Sequence, residues 1–334
     1  MPTPREIRLR SFVDNFPNMD PTSYLYPDSI TPLPRLPAHL RQQKLYTLVA
    51  VCDPIDQVKK WQDRNFGPDA PAECLDNFPL TLGDPPITSQ IGAGIEAPSV
   101  YRKSIIDGGK TKRILLLNTA YHFKPGGGFE GRVLTQEEDF SRRTNLVKAL
   151  ESTDPASGMV SYYPLEVIGG IYSPNVVIYK EGFDGGYETW PRNEWTAVSV
   201  VSVPPVRNPR LDESGKYYSS DADRALQYEK MKTILRIAAL NGHVNLALTG
   251  FGSIDTYPFV GQPKNPVVEV AFMWKKLLLE EEEFKGWFEL VQFVFNGVGS
   301  WKNDPVGSDI AREEFRKYFG TECGNIRTHD IGPR

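Results

Sequence analysis

Two features of residues 118–140, NTAYHFKPGGGFEGRVLTQEEDF, have the makings of a reactive site. The first is Gly126, Gly127 and Gly128, placed just beyond an apolar run. Glycine adopts positive φ without strain and has no side chain, so a ligand can approach its backbone closely. Exposed N–H groups there suit phosphate or sugar oxygens, although a bare triple glycine is equally a tight turn. The second is Gln136, Glu137 and Glu138, which open a helical pattern. Successive helical residues point about 100° apart, so adjacent glutamates can take separate tasks, one holding a hydroxyl and one moving a proton. A carboxyl group acts as general acid in glycoside cleavage when burial or a like charge raises its pKa. A helix N-terminus pulls the other way, and acids there are also ordinary dipole partners.

Those residues need a scaffold. KRILLLNTA (112–120) reads as a buried strand ending just before the glycines. TQEEDFSRRTNLVKALE (135–151) reads as one helix with Thr135 as N-cap. LYTLVAVCD, PNVVIYKEG, WTAVSVVSVPPV, HVNLALTGFG and FELVQFVFN read as further strands. DADRALQYEKMKTILRIAALNG, ended by Gly242, NPVVEVAFMWKKLLLEEEEF and SDIAREEFRKYFG read as helices, and PIDQVKKWQDRNF as a helix begun by Pro54. The alternation predicts an α/β domain of three layers. In such sheets ligands sit at the carboxyl ends of strands, where the glycines lie.

Residues 15–37 are rich in proline and are expected to be extended, either a free tail or an arm laid over the body through Tyr24, Leu25 and Tyr26. Residues 68–100 are rich in Pro and Gly and read as irregular. The predicted division is a proline-rich arm (1–44), an accessory strand and helix region packed on the core (45–110) and a catalytic core (111–334). A net charge of −4 and a pI near 5.7 argue against a general or sequence-specific nucleic-acid binder, though not against a local basic pocket. Cys52, Cys74 and Cys323 are scattered, without metal spacing, and suggest a reducing compartment. No apolar run spans a bilayer and the start lacks a secretory signal, so an intracellular protein with no membrane partner, nuclear or cytoplasmic, is expected.

The segment PGGGFEGRVLTQEEDFSRRTNL resembles the signature of poly(ADP-ribose) glycohydrolases, and the wider pattern is similar to their compact microbial branch. LLLNTA, IYSPNVVIYKEG, VVSVPPVRNP, and LALTGFG followed by NPVVEVAFMWKKLL occur in the family's order, over roughly residues 100–300. The resemblance implies a three-layer α/β/α macrodomain with a mixed sheet and an N-terminal extension. It implies hydrolysis of ribose–ribose O-glycosidic bonds, mainly from chain ends, without metal or other cofactor. Glu138 would be the catalytic acid, with Glu137 and Gln136 positioning the ribose, Gly126 to Gly128 lining the distal ribose and diphosphate, and Asn118 contacting ribose. TGFGSIDTYPFVGQPKNP (249–266) is longer and poorer in glycine than the family's diphosphate loop. Gly250, Gly252, Phe259 and Gly261 would fill its places, with Phe259 stacked on adenine. The partners so implied are poly(ADP-ribose), ADP-ribose and ADP-ribosylated proteins, bound by a monomer that reverses ADP-ribosylation in the DNA damage response. A mono-ADP-ribosyl hydrolase using the same pocket and a non-catalytic ADP-ribose reader are the alternatives.

Among other candidates, His122 lies beside the loop, whereas His39, His243 and His329 show no metal spacing. Arg142 and Arg143 are expected on a solvated helix face, as is LEEEEF (279–284). Trp190, Trp195 and Trp274 are expected to pack the core or hold a loop.

Overall fold

The computed structural model describes residues 23–26, 32–33, 46–51, 55, 111–131, 133, 135–153, 158–191, 194–253, 264–295 and 305–319. Seven strands form one mixed sheet in the order β1-β4-β5-β3-β6-β7-β2. They are β1 (Tyr24–Tyr26), β2 (Tyr46–Val51), β3 (Thr111–Thr119), β4 (Gly170–Ile178), β5 (Thr196–Val203), β6 (His243–Leu248) and β7 (Leu290–Phe295). β5, β3, β6, β7 and β2 run parallel, and β4 and β1 add antiparallel strands at one edge. The helices are α1 (Gln136–Arg143), α2 (Leu146–Glu151), α3 (Asp221–Leu240), α4 (Val267–Lys275) and α5 (Pro305–Phe319).

The apolar run of β3 is continuous because both faces of the strand are covered. Leu115 and Leu117 enter a core shared with Leu235, Trp274, Phe293 and Phe315 from α3, α4, β7 and α5. Ile114 and Leu116 enter a second core with Phe140, Leu146 and Leu150 from α1 and α2. Each of these β3 side chains is at least 98% removed from solvent, and each such burial contributes about 2 kcal/mol. A strand anchored on both faces fixes the height at which its carboxyl end opens.

Residues 135–151 form two helices rather than the single one that their periodicity predicts. Thr144 is extended (φ −138°, ψ 172°) and bridges to Ile178 of β4. Its hydroxyl donates to the Phe140 carbonyl at 2.6 Å and accepts from the Leu146 N–H at 3.1 Å. The β4 end then takes the exposed backbone: Tyr179 N–H donates to Arg143 O, and Asn145 N–H to Val177 O. Pairing with the sheet overrides helix periodicity here, and it pins the end of α1. The helix predicted after β6 likewise stops before its acidic run, α4 passing into a π-helical turn, Lys276–Glu280.

Tyr24, Leu25 and Tyr26 lie on the body, as an edge strand against β4. Buried Ser23 bonds Ala149 O and Ser173 Oγ, at 2.5 and 2.7 Å. The helix predicted over 54–66, except Ile55, lies outside the described residues, as do all of 68–100, all three cysteines, His39 and His329. No helix among the described residues is long and apolar enough to cross a membrane.

Candidate active site

The site is assembled where β3 ends and α1 begins. Gln136 joins the two: its Nε2 donates to Leu117 O at 2.6 Å, and its Oε1 accepts from Thr119 N–H at 3.1 Å. Both ends of the amide are thus bonded to β3 backbone, on either side of Asn118. Gln136 acts on the site as the tether that sets α1 against the strand.

The three acids that follow diverge as helical geometry requires. Asp139 points inward and forms a buried ion pair with Arg143, 3.3 Å apart, while Tyr187 Oη donates to its other oxygen at 3.2 Å. Glu137 turns to β3. Its Oε2 accepts from Tyr121 N–H at 2.6 Å and its Oε1 from Asn118 Nδ2 at 3.3 Å. Glu138 turns to the glycine loop, where Oε1 accepts from Gly128 N–H at 2.9 Å and Oε2 from the Thr135 hydroxyl. The adjacent carboxylates therefore belong to two different walls, and both are nearly fully buried.

Burial pushes the Glu137 carboxyl up to about 8, against the pull of the Tyr121 N–H, and the Glu138 charge adds to the rise. Two buried carboxyl groups side by side thus favour the retention of a proton within the pair. Asn118 donates at 3.0 Å to Ser202 Oγ, its register partner on β5, while its Oδ1 is buried with no hydrogen-bond partner. That orphan acceptor beside Glu137 is a ready partner for a ligand hydroxyl.

The glycines are required by space. Gly126 and Gly127 have φ of +69° and +54°. A Cβ on Gly127 would clash with the Glu138 carboxylate, and one on Gly126 would stand 2.7 Å from Val147 and 2.9 Å from Ser141. Gly128 carries the N–H that Glu138 accepts. The loop is held from behind by Arg142, whose guanidinium donates to the carbonyls of Phe129, Gly131 and Val133 at 2.9, 3.3 and 2.6 Å. Arg142 and Arg143 are buried, which corrects the expectation of a solvated face. One arginine ties down the loop and the other neutralises Asp139.

Gly250 and Gly252 lie in the turn after β6. Thr249 Oγ1 is 3.2 Å from Thr119 Oγ1, which joins that turn to the end of β3. Gly252 has φ +76°, and a Cβ there would stand 2.7 Å from Pro205. Buried Asn265 closes the turn: its N–H donates to Gly252 O, and its Nδ2 reaches Val206 O, both at 2.9 Å. Phe259 and Gly261 lie outside the described residues. The structure therefore brings Asn118, the glycine triplet, Gln136, Glu137 and Glu138 into one cluster, with the Gly250–Gly252 turn alongside.

Several contributors carried no readable sequence signal as site residues. Thr135 sits at the N-cap position, yet its hydroxyl bonds Glu138 rather than a backbone N–H. Tyr163 has a buried hydroxyl without a hydrogen-bond partner. Burial, with the Glu137 carboxylate nearby, raises its pKa well above the ordinary range. Its segment is tied to the loop after β3 by Leu165 N–H donating to His122 O at 2.9 Å. Trp190 and Trp274 are buried in the two cores, Trp195 packs partly buried against one, and His243 is buried on Tyr172 Oη at 2.9 Å. In the acidic run, Glu283 pairs with Arg236 at 2.6 Å and Glu281 accepts from Tyr228 Oη. Among the described residues no group of three His, Cys, Asp or Glu side chains is placed to hold a metal ion.

Residues 96–181, which contain the glycine triplet and both glutamates, match the family model described as microbial-type PARG (poly(ADP-ribose) glycohydrolase), catalytic domain. A search of curated protein sequences returns no match. Among solved structures, the poly(ADP-ribose) glycohydrolase of Thermomonospora curvata bound to the inhibitor ADP-HPD aligns with a TM-score of 0.55 and 17% identity, covering 93% of this chain and 87% of that one. The Deinococcus radiodurans poly(ADP-ribose) glycohydrolase in complex with ADP-ribose aligns with a TM-score of 0.53 and 18% identity, covering 90% and 95%. At these identities the structures speak for the fold, and the family model speaks for the segment that builds the acid pair. In that segment and in its fold, this chain is similar to the microbial-type poly(ADP-ribose) glycohydrolases, as the glycine and QEE signature implies.

Proposed function

We propose that this protein is a poly(ADP-ribose) glycohydrolase that cleaves ribose–ribose O-glycosidic bonds, mainly at chain ends, with Glu138 as the general acid and base. One observation carries the reading: Gly127 and Gly128 cradle the Glu138 carboxylate, while neighbouring Glu137 is bound separately by Asn118 and the Tyr121 N–H. That division supplies a proton-transfer group on one wall and a hydroxyl-binding group on the other.

The Glu138 carboxyl proton passes to the leaving 2′-oxygen as the bond from that oxygen to C1″ breaks. The bond's electron pair leaves with the oxygen, and positive charge develops at C1″ and its ring oxygen. Water then attacks C1″ and gives its proton to the Glu138 carboxylate, which restores the acid. Glu137 and Asn118 hold the ribose hydroxyls, and Gln136 keeps α1 in place. Gly126 to Gly128, with the Gly250–Gly252 turn and the Phe259–Gly261 segment beyond it, line the ribose, diphosphate and adenine. Two separate cores on opposite faces of the sheet support a three-layer macrodomain, with residues 111–334 as the catalytic core, 45–110 packed on it and 1–44 as an arm.

Purified protein incubated with labelled poly(ADP-ribose) and, separately, with a mono-ADP-ribosylated protein tests the reading. Release of ADP-ribose from the polymer supports it. Release from the mono-modified protein alone would move the assignment to a mono-ADP-ribosyl hydrolase, and binding without release from either would make the protein a reader.

A further inference from the structure

Beyond the acid pair, the loop after β3 carries a patch that the cleavage chemistry leaves unused. Tyr121, whose N–H holds Glu137, is followed by His122 and by Phe123, which is 55% exposed. Phe123 meets the Tyr121 ring edge-on at 5.6 Å and the His122 ring at 4.8 Å. Arg207, from the proline-rich turn after β5, lies over both aromatic rings, 5.5 Å from the Tyr121 centroid and 5.8 Å from that of Phe123. Arg207 is exposed, and among the described residues it pairs with no carboxylate.

The neighbourhood is positive although the chain carries −4 overall. Partial burial, followed by the charges of Lys230 and Arg207, holds the His122 imidazole below its usual range. Lys230 is buried in α3 with its ammonium on Val167 O. A half-exposed phenyl ring in contact with a guanidinium that meets no carboxylate is complementary to a nucleotide: a base packs on the ring and the phosphates meet the fork.

Position decides which nucleotide. Tyr121 and Gly128 stand at opposite ends of one loop and bond opposite members of the acid pair. On the glycohydrolase reading the glycine end serves the terminal unit, which leaves the aromatic end for the chain on the other side of the scissile bond. The leaving oxygen belongs to a ribose that bears adenine, which places a base one sugar away from Glu138. We propose that Phe123 and Arg207 form a subsite for the adenine and diphosphate of the ADP-ribose unit on the leaving side of the scissile bond. The proposal rests on the glycohydrolase reading above and adds to it a grip on the remainder of the chain.

Binding to a Glu138→Gln background, measured with ADP-ribose and with an ADP-ribose trimer, tests the proposal. The background should bind the trimer more tightly than ADP-ribose. Adding Phe123→Ala or Arg207→Ala should weaken trimer binding roughly tenfold each and leave ADP-ribose within about twofold. Phe123→Trp, which keeps an aromatic face, should retain trimer affinity, and Arg207→Ala should flatten its salt dependence. Unchanged trimer affinity in the alanine variants overturns the proposal. So does a parallel loss for both ligands, which would put these residues in the terminal-unit pocket or the fold, and so does a background that binds trimer no better than ADP-ribose. A background that binds neither ligand, with a wild type that releases no ADP-ribose, defeats the glycohydrolase reading itself and the subsite with it.

Discussion

A Cβ on Gly127 would stand 2.5 Å from Glu138 Oε1, closer than any carbon and oxygen rest without displacement. The glycine triplet is thus the wall against which the proposed acid is set, as well as a surface for ligand.

Gly127→Ala is predicted to cost about 1–2 kcal/mol of stability from the backbone alone, because φ is +54°. It should also reduce turnover at least a hundredfold by displacing the Glu138 carboxylate. Thermal unfolding and single-turnover hydrolysis check the two parts. A stable variant with full activity would contradict the packing described.

Glu137 makes stability depend on pH. Its folded pKa is raised from 4.5 to about 8, so the folded state binds the proton more tightly than the unfolded chain. The stabilisation is complete below pH 4.5, is lost as pH rises, and is gone above about 8, a change on the order of a few kcal/mol. The melting temperature of the wild type should fall more steeply between pH 5.5 and 8.5 than that of Glu137→Gln. His122, held below its usual range, contributes with the opposite sign but equally in both proteins. Parallel curves would show that Glu137 ionises in the fold without penalty.

Arg142 holds three carbonyls of the 129–133 loop with one planar fork. Arg142→Lys keeps the charge and loses the fork. Faster hydrogen exchange confined to residues 128–133 is expected, with a fall in kcat of about tenfold or more and a largely preserved fold. Unaltered exchange in that loop would show that the loop holds itself.

Thr135 donates its hydroxyl to Glu138. Thr135→Val removes the donor at nearly constant volume and should lower kcat about tenfold or more by freeing the Glu138 carboxylate to turn away from the glycine loop. Thr135→Ser should restore kcat. A shift in melting temperature with no change in kcat would mean that Thr135 serves only the helix start.

The reach of the sequence follows from how local each interaction is. Glu137, Glu138 and the glycines are readable because a helix start and a tight loop are set by nearby residues, and the strand before them by a continuous apolar run. The break at Thr144 is not readable, because pairing with Ile178 comes from β4, more than thirty residues away in sequence. Arg142 and Arg143 look like surface charges in a helical pattern until the loop carbonyls and Asp139 that surround them are known. Tyr163 and Asn265 reach the site only through tertiary packing. Phe259 and Gly261, which the resemblance assigns to adenine and diphosphate, lie outside the described residues.

In the proposed mechanism Glu138 moves the proton and Glu137 positions the sugar. The direct test is ADP-ribose release from labelled poly(ADP-ribose) by wild type, Glu138→Gln and Glu137→Gln, with ADP-ribose affinity measured in parallel. The account predicts turnover reduced at least a thousandfold in Glu138→Gln with ADP-ribose affinity kept within about threefold, and a loss of affinity as well as rate in Glu137→Gln. Substantial hydrolysis by Glu138→Gln, with activity abolished only in Glu137→Gln, would contradict it and pass the proton-transfer role to the neighbouring glutamate.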